Sequence, residues 1–166
     1  MNILIISDNH GHWDQPILEQ VNWADEVWHA GDWLNDSLKM EIDRLGKPLF
    51  SVYGNADGQG IRVHYDEFLV LERQGIRILM VHIAGKIGVY TTKVRERIAE
   101  LKPDWLVCGH SHICKVQFDQ RFRLMYLNPG ACGLQGFHKV RTALRLVLEA
   151  GKSKTLEVVE WERKNL

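Results

Sequence analysis

Two histidines, His110 and His112, stand two residues apart in CGHSH (108–112), directly behind the apolar run Trp105, Leu106, Val107. Four more polar clusters punctuate the chain: Asp8 and His10 in SDNHG, Asp32 in AGD, Asn55 and Asp57 in YGNAD, and His82 after ILMV. Imidazole and carboxylate suit divalent first-row metals such as Mn, Fe, Ni, Co or Zn. No thiolate belongs to the set, which argues against a structural zinc knot. Asp8, His10, Asp32, Asn55, His82, His110 and His112 are the candidate ligands. Together they exceed what one four-coordinate ion needs. They suit two ions that share a carboxylate, roughly 3.5–4 Å apart. Taken singly, each has a duller reading. An aspartate at a strand end caps a helix, Gly-Asn makes a turn, and a lone histidine is a hydrogen-bonded core residue.

The elements around these clusters decide between the two readings. NILIIS (2–7), EVWHAG (26–31), PLFSVYGN (48–55) and DWLVCGH (104–110) are short apolar runs of the kind buried on both faces of a parallel sheet. Trp13, Ile17, Leu18 and Val21 share a helical spacing, as do Leu38, Ile42 and Leu45, and Val94, Ile98 and Leu101. EFLVLERQGIRILMVH (67–82) reads as a hairpin around Gln74-Gly75. The last third reads as strands: CKVQFDQ, RLMYLN, TALRLVLEA and KTLEVVEW. A β-α-β-α-β first half implies parallel strands with crossover helices. The expectation is a mixed-sheet α/β sandwich. Each polar cluster then falls at the carboxyl end of a strand, where open α/β sheets form ligand sites. Gly11, Gly31, Gly54, Gly85 and Gly109 lie within or beside the clusters and permit close turns.

The 166 residues fit one domain, 1–166, with no linker or repeat. Lys+Arg and Asp+Glu balance at 21 each, so no basic excess points to nucleic acid or an anionic membrane. The three cysteines are odd in number and lack C-x-x-C spacing, which suits reduced thiols and a cytoplasmic location. No apolar run approaches the ~20 residues of a membrane span, and the N-terminus lacks the features of a signal peptide. Trp13, Trp28 and Trp105 lie at core-pattern positions, so packing rather than base stacking is expected of them. His29 is expected to pack at a strand end, Asn9 to serve its turn, and His12 and GFHKVR (136–141) to sit on surface loops.

The order D-x-H, G-D, G-N-x-D, H, G-H-x-H resembles the calcineurin-like metallophosphoesterase superfamily, specifically its small single-domain prokaryotic phosphodiesterases. NPGA (128–131) resembles a segment that follows in that branch. The resemblance implies a four-layer α-β-β-α sandwich with two mixed β-sheets and a dinuclear metal centre, manganese first among the ions above. It implies that Asp8, His10 and His112 hold one ion, that Asn55, His82 and His110 hold the other, and that Asp32 bridges. Asp32, Asn55 and His82 are then also the catalytic residues, Asn55 by helping the metals bind phosphoryl oxygens. The implied reaction is in-line attack on a small phosphodiester by a hydroxide shared between the metals.

Two positions depart from the pattern. Many members have histidine where this chain has Ala56, so the obvious proton donor to the leaving group is missing. Asp57, which would orient that histidine, is left for another task, with Arg62 as its candidate partner. The glycine that often follows the fourth-motif histidine is also absent, HIAG standing in its place. Two rival readings remain. The same fold serves as a protein-binding scaffold in the retromer coat, where the metal site is degraded, whereas all seven ligands are present here. Some larger relatives are nucleases, against which the balanced charge argues. Self-association is left open.

Overall fold

The computed structural model describes residues 1–149 and 152–163. Two five-stranded sheets form the centre. The first holds β1 (Asn2–Ile6), β2 (Glu26–His29), β3 (Leu49–Ser51), β11 (Val140–Glu149) and β12 (Lys152–Glu162) in the order β12-β11-β1-β2-β3. Its β1, β2 and β3 run parallel, while β11 lies antiparallel to both β1 and β12. The second sheet holds β4 (Phe68–Arg73), β5 (Ile76–Val81), β8 (Trp105–Val107), β9 (Cys114–Asp119) and β10 (Leu124–Pro129) in the order β4-β5-β8-β10-β9. There β5, β8 and β10 are parallel, with antiparallel β4 and β9 at the edges.

The alternation of side chains along each strand builds the layers. In β1, Ile3 and Ile5 point into the inter-sheet core with Trp28, Ile78, Met80, Val107, Leu127 and Leu144. Leu4 and Ile6 point the other way, onto Ile17, Leu18 and Val21 of α1 (Gln15–Trp23) and Leu38 and Ile42 of α2 (Ser37–Arg44). On the far side, Leu79, Val81 and Leu106 pack against Val94 and Ile98 of α4 (Thr92–Leu101). Three apolar layers between four layers of structure make an α-β-β-α sandwich, as the family resemblance implies. Among the described residues no helix is long and apolar enough to cross a membrane.

Local chemistry sets the element ends. The Asp14 carboxylate accepts from the Ile17 amide at 3.3 Å and starts α1, with Pro16 in the first turn. Thr91 caps α4 in the same way, and Lys102 ends it in the left-handed conformation just before Pro103. Gln74 and Gly75, both with positive φ, make the tight hairpin between β4 and β5.

The structure departs from the sequence reading in several places. The strands that precede the polar clusters stop sooner than the apolar runs suggest. β3 covers only Leu49–Ser51, because the following residues turn toward the site. Trp13 lies outside α1 and is 39% exposed, whereas Trp28 is fully buried. A short helix α3 (Gln59–Arg62) and a small hairpin of β6 (Gly85–Lys86) and β7 (Val89–Tyr90) occupy segments that read as loops. They carry too few residues to show a period. Residue 150, the end of the TALRLVLEA run, lies outside the described residues.

Candidate metal centre

The polar clusters converge where the carboxyl ends of β1, β2, β3, β5 and β8 meet, so both sheets contribute. Asp8, His10 and His112 form one group of ligand atoms, all within 4.8 Å of one another, and Asp32, His82 and His110 form a second. The groups touch. The Asp32 Oδ2 atom lies 3.2 Å from His82 Nε2 and 3.7 Å from His10 Nε2. The Asp8 Oδ1 atom lies 3.2 Å from His112 Nε2 and 3.9 Å from His82 Nε2. Asn55 is exposed and lines the same cavity as His82, about 220 Å³ in volume, with Arg62 and Lys93 on its walls. A second cavity of about 500 Å³ is lined by His110, His112, Ile113, Phe137 and His138. A larger cavity, about 640 Å³ between the start of α1 and the end of β12, contains none of the seven candidates.

Each aspartate divides its two oxygens between frame and centre. Asp8 Oδ2 accepts from the His110 amide at 3.0 Å and ties the first sheet to the second, while buried Oδ1 has no hydrogen-bond partner. Asp32 Oδ1 accepts from the Ala56 amide at 2.8 Å, while Oδ2 faces His82 and His10. His82 is oriented by its other nitrogen. A carbonyl oxygen can only accept, so Nδ1–H donates to Ala30 at 2.7 Å, and Nε2 presents a lone pair to the Asp32 carboxylate with no partner of its own. A lone pair facing a carboxylate at 3.2 Å is repulsive unless a cation lies between them. Buried, acceptor-only nitrogens and oxygens of this kind fit a divalent cation. Without a metal ion, a proton can take the cation's place on His82 Nε2. Burial opposes charge on His82, yet Asp32 and Asp8 outweigh it and hold the imidazole above its usual pKa. Burial likewise opposes charge on Asp32, but His82 and the Ala56 amide hold its carboxyl below the usual range.

The backbone at the site is bent into conformations that side chains avoid. Asp8 (φ 54°), His10 (45°), Asp32 (62°), His110 (68°) and His112 (57°) all occupy the left-handed region. Such residues cost of order 1–3 kcal/mol each and concentrate at functional sites. Gly109 is needed for a different reason. A Cβ there would overlap Ser7 Oγ and crowd Asp8 Oδ2, so any other residue would have to displace these side chains.

Several further residues support the candidate ligands. Asp57 accepts backbone N–H bonds from Asp32 (3.1 Å), Leu34 (2.8 Å) and Gly54 (2.7 Å), and so braces two motifs at once. Arg62 bonds the Asp57 main-chain carbonyl at 2.7 Å instead of the carboxylate, which the backbone amides already occupy. Asn128 of NPGA donates to the Gly109 carbonyl (2.8 Å) and to Ser111 Oγ (3.2 Å), holding the GHSH turn. His29 Nδ1 accepts from the Gly31 amide, so its Nε2–H donates to Asn9 Oδ1 at 3.0 Å. Asn9 in turn bonds the His12 carbonyl, which fixes the D-x-H turn from within. Burial holds the His29 pKa well below the ordinary imidazole value, His82 adding to the effect. His12 is half-buried, its Nε2 3.4 Å from Asp14.

Residues 1–151 match the family model for the calcineurin-like phosphoesterase superfamily domain. The chain belongs to the calcineurin-like phosphoesterase superfamily. It is 33% identical over 155 residues to a probable metallophosphoesterase, YsnB, of Bacillus subtilis, covering 90% of this chain and 85% of that one. Among solved structures, a predicted phosphoesterase of Streptococcus pneumoniae superposes with a TM-score of 0.68 at 24% identity, covering 98% of this chain and 89% of that one. An archaeal phosphodiesterase superposes with a TM-score of 0.72 at 22% identity, covering 96% and 100%. Vps29 of Entamoeba histolytica in complex with Zn²⁺ does so with 0.69 at 18% identity, covering 99% and 100%. At these identities the superpositions establish a common fold. The metallophosphoesterase fold binds divalent metals, and this superfamily member has two candidate ligand groups.

Proposed function

We propose that this chain is a metal-dependent phosphodiesterase that hydrolyses a small phosphodiester at a dinuclear centre. The observation that carries the reading is the pair of adjoining ligand groups, Asp8–His10–His112 and Asp32–His82–His110, with the free Asp32 Oδ2 within 3.7 Å of nitrogens from both. A pair of divalent cations there, manganese first among Fe, Ni, Co and Zn, would supply Lewis acidity and make water nucleophilic near neutral pH. The chain's own residues do the rest. Asp8, His10 and His112 would hold one cation and Asn55, His82 and His110 the other, with Asp32 shared. Asn55 stands at the mouth of the Arg62–Lys93 cavity, where its amide would donate to a phosphoryl oxygen. Two cavities bordered by candidate ligands, one by Asn55 and His82 and one by His110 and His112, offer room for the arms of a diester. The archaeal structural neighbour named as a phosphodiesterase supports the same reaction class.

Ala56 contributes only its amide, to Asp32. No side chain at that position can protonate the leaving group, so esters with acidic leaving groups are the better substrates. A balance of 21 Lys+Arg against 21 Asp+Glu argues against nucleic acid as the substrate.

The test is hydrolysis of bis-p-nitrophenyl phosphate by metal-stripped protein, with Mn²⁺, Ni²⁺, Co²⁺, Zn²⁺ or Mg²⁺ added back. Turnover that depends on metal and is lost in Asp32→Asn supports the proposal, and alkyl aryl diesters should then show rates that fall as leaving-group pKa rises. Two bound ions per chain without turnover of any diester would refute it and favour a binding role of the kind a scaffold has.

A further inference from the structure

We infer that His138 is a positioning residue for His112: its ring accepts the His112 Nδ1 proton and so leaves His112 Nε2 free to bind metal. The inference rests on the dinuclear reading above. The His138 Nε2 atom lies 3.0 Å from the Gly133 carbonyl, which can only accept, so Nε2 carries the proton of the neutral ring. Its Nδ1 is then an acceptor. It lies 3.3 Å from His112 Nδ1, and the two rings meet edge to face at 70° with centroids 5.2 Å apart. The His112 proton therefore belongs on Nδ1. Its Nε2 is left unprotonated, 3.2 Å from Asp8 Oδ1 and 3.4 Å from His10 Nε2.

The loop that carries His138 is shaped to the task. A Cβ at Gly136 would overlap His112 Nδ1, so the loop backbone rests directly on the imidazole. Gly136 takes φ 120°, which other residues rarely adopt. At one end the Cys132 and Gly133 amides bond the Ser7 and Asp8 carbonyls at 3.0 and 3.2 Å. At the other, Arg163 Nη1 donates to the carbonyls of Gly136 (2.7 Å) and His138 (2.9 Å). The two groups are thus served differently. His82 is oriented by a main-chain carbonyl, which no side-chain change removes, and His112 by a neutral imidazole, which can be replaced.

The experiment compares wild type, His138→Leu and His138→Asn at pH 8, where neutral imidazoles predominate. Zn²⁺ binding is followed by calorimetry, and the His112 tautomer by long-range ¹H–¹⁵N spectra of the metal-free protein. In His138→Leu one of two Zn²⁺ sites should weaken 10- to 100-fold, the usual cost of losing a ligand's hydrogen-bond partner. The other should hold, and the His112 Nδ1–H signature should be lost. Asn places an oxygen near the lost Nδ1 and should recover most of the affinity. Equal loss at both sites, or two sites and a tautomer unchanged in His138→Leu, would overturn the inference and leave the dinuclear reading standing. A wild-type chain that binds no Zn²⁺ refutes that reading and the inference together.

Discussion

Replacing Asp57, a residue only 3% exposed, by alanine takes the acceptor from three backbone amides, those of Asp32 and Gly54 in buried bonds and that of Leu34 in a part-buried one. Hydrogen bonds to a charged acceptor contribute about 1.5–3 kcal/mol each, and a buried donor left unpaired costs about 1–3 kcal/mol. Water entering the vacated space recovers part of this. Taking the lowest figure at each donor, Asp57→Ala costs at least about 3 kcal/mol, or a fall in Tm of about 6–12 °C for a chain of this size. Asp57→Asn keeps one acceptor oxygen but turns an amide toward at least one backbone N–H, so its cost falls between, about 1–3 kcal/mol. Urea unfolding followed by tryptophan fluorescence measures both, provided the m-values stay equal. The loss should extend to metal affinity, because the bond to the Asp32 amide helps hold that residue at φ 62°. An Asp57→Ala protein within about 1 kcal/mol of wild type would refute the idea that this carboxylate braces the two motifs.

Gly109→Ala should destabilise by about 1–3 kcal/mol, since its Cβ must displace Ser7 and Asp8; a thermal melt unchanged from wild type would contradict the packing described. Arg141 holds the Asp14 carboxyl below its usual pKa against the opposing effect of burial. Its contribution is therefore complete above the unfolded value near 4 and disappears as pH falls through the lowered folded value. Asp14→Asn should cost about 1–2 kcal/mol at pH 7, allowing for the solvent that reaches Asp14. The gap should close in urea titrations at progressively lower pH, and a gap that widened would reverse the sign. Added Mn²⁺ should raise the Tm of metal-stripped protein, each site adding about 2.7 kcal/mol at a hundredfold excess over Kd. Asp8→Asn should remove part of that rise in a differential scanning experiment.

The parts of the fold that could be read from sequence are those with a long or regular pattern. Ile17, Leu18 and Val21 bury one face of α1 as their spacing implies, and the Gln74-Gly75 turn separates two strands of six residues each. The strand ends were less legible because the residues that end them are the polar ones. An apolar run continues through Gly31 or Tyr53, but the chain leaves the sheet at His29 and Ser51 to deliver Asp32 and Asn55. The acidic and imidazole candidates could be picked out because their types recur at successive strand ends. Their supports could not. Asp57 acts on backbone atoms, Asn128 reaches back 19 residues to the Gly109 carbonyl, and His138 meets His112 across 26 positions. Asp57 and Asn128 lie in the quoted G-N-x-D and NPGA segments, but side-chain type and local spacing do not show what they touch, since only the closed sandwich makes these partners neighbours.

The left-handed backbone at Asp8, His10, Asp32, His110 and His112 sets selection for durability against selection for chemistry. Glycine at His10, His110 or His112, whose side chains accept no backbone amide, would relax the chain and give a hardier protein with an emptied centre. A library screened for heat resistance alone, without metal, should therefore discard these histidines early, while one screened for turnover should retain all five and accumulate its stabilising changes elsewhere.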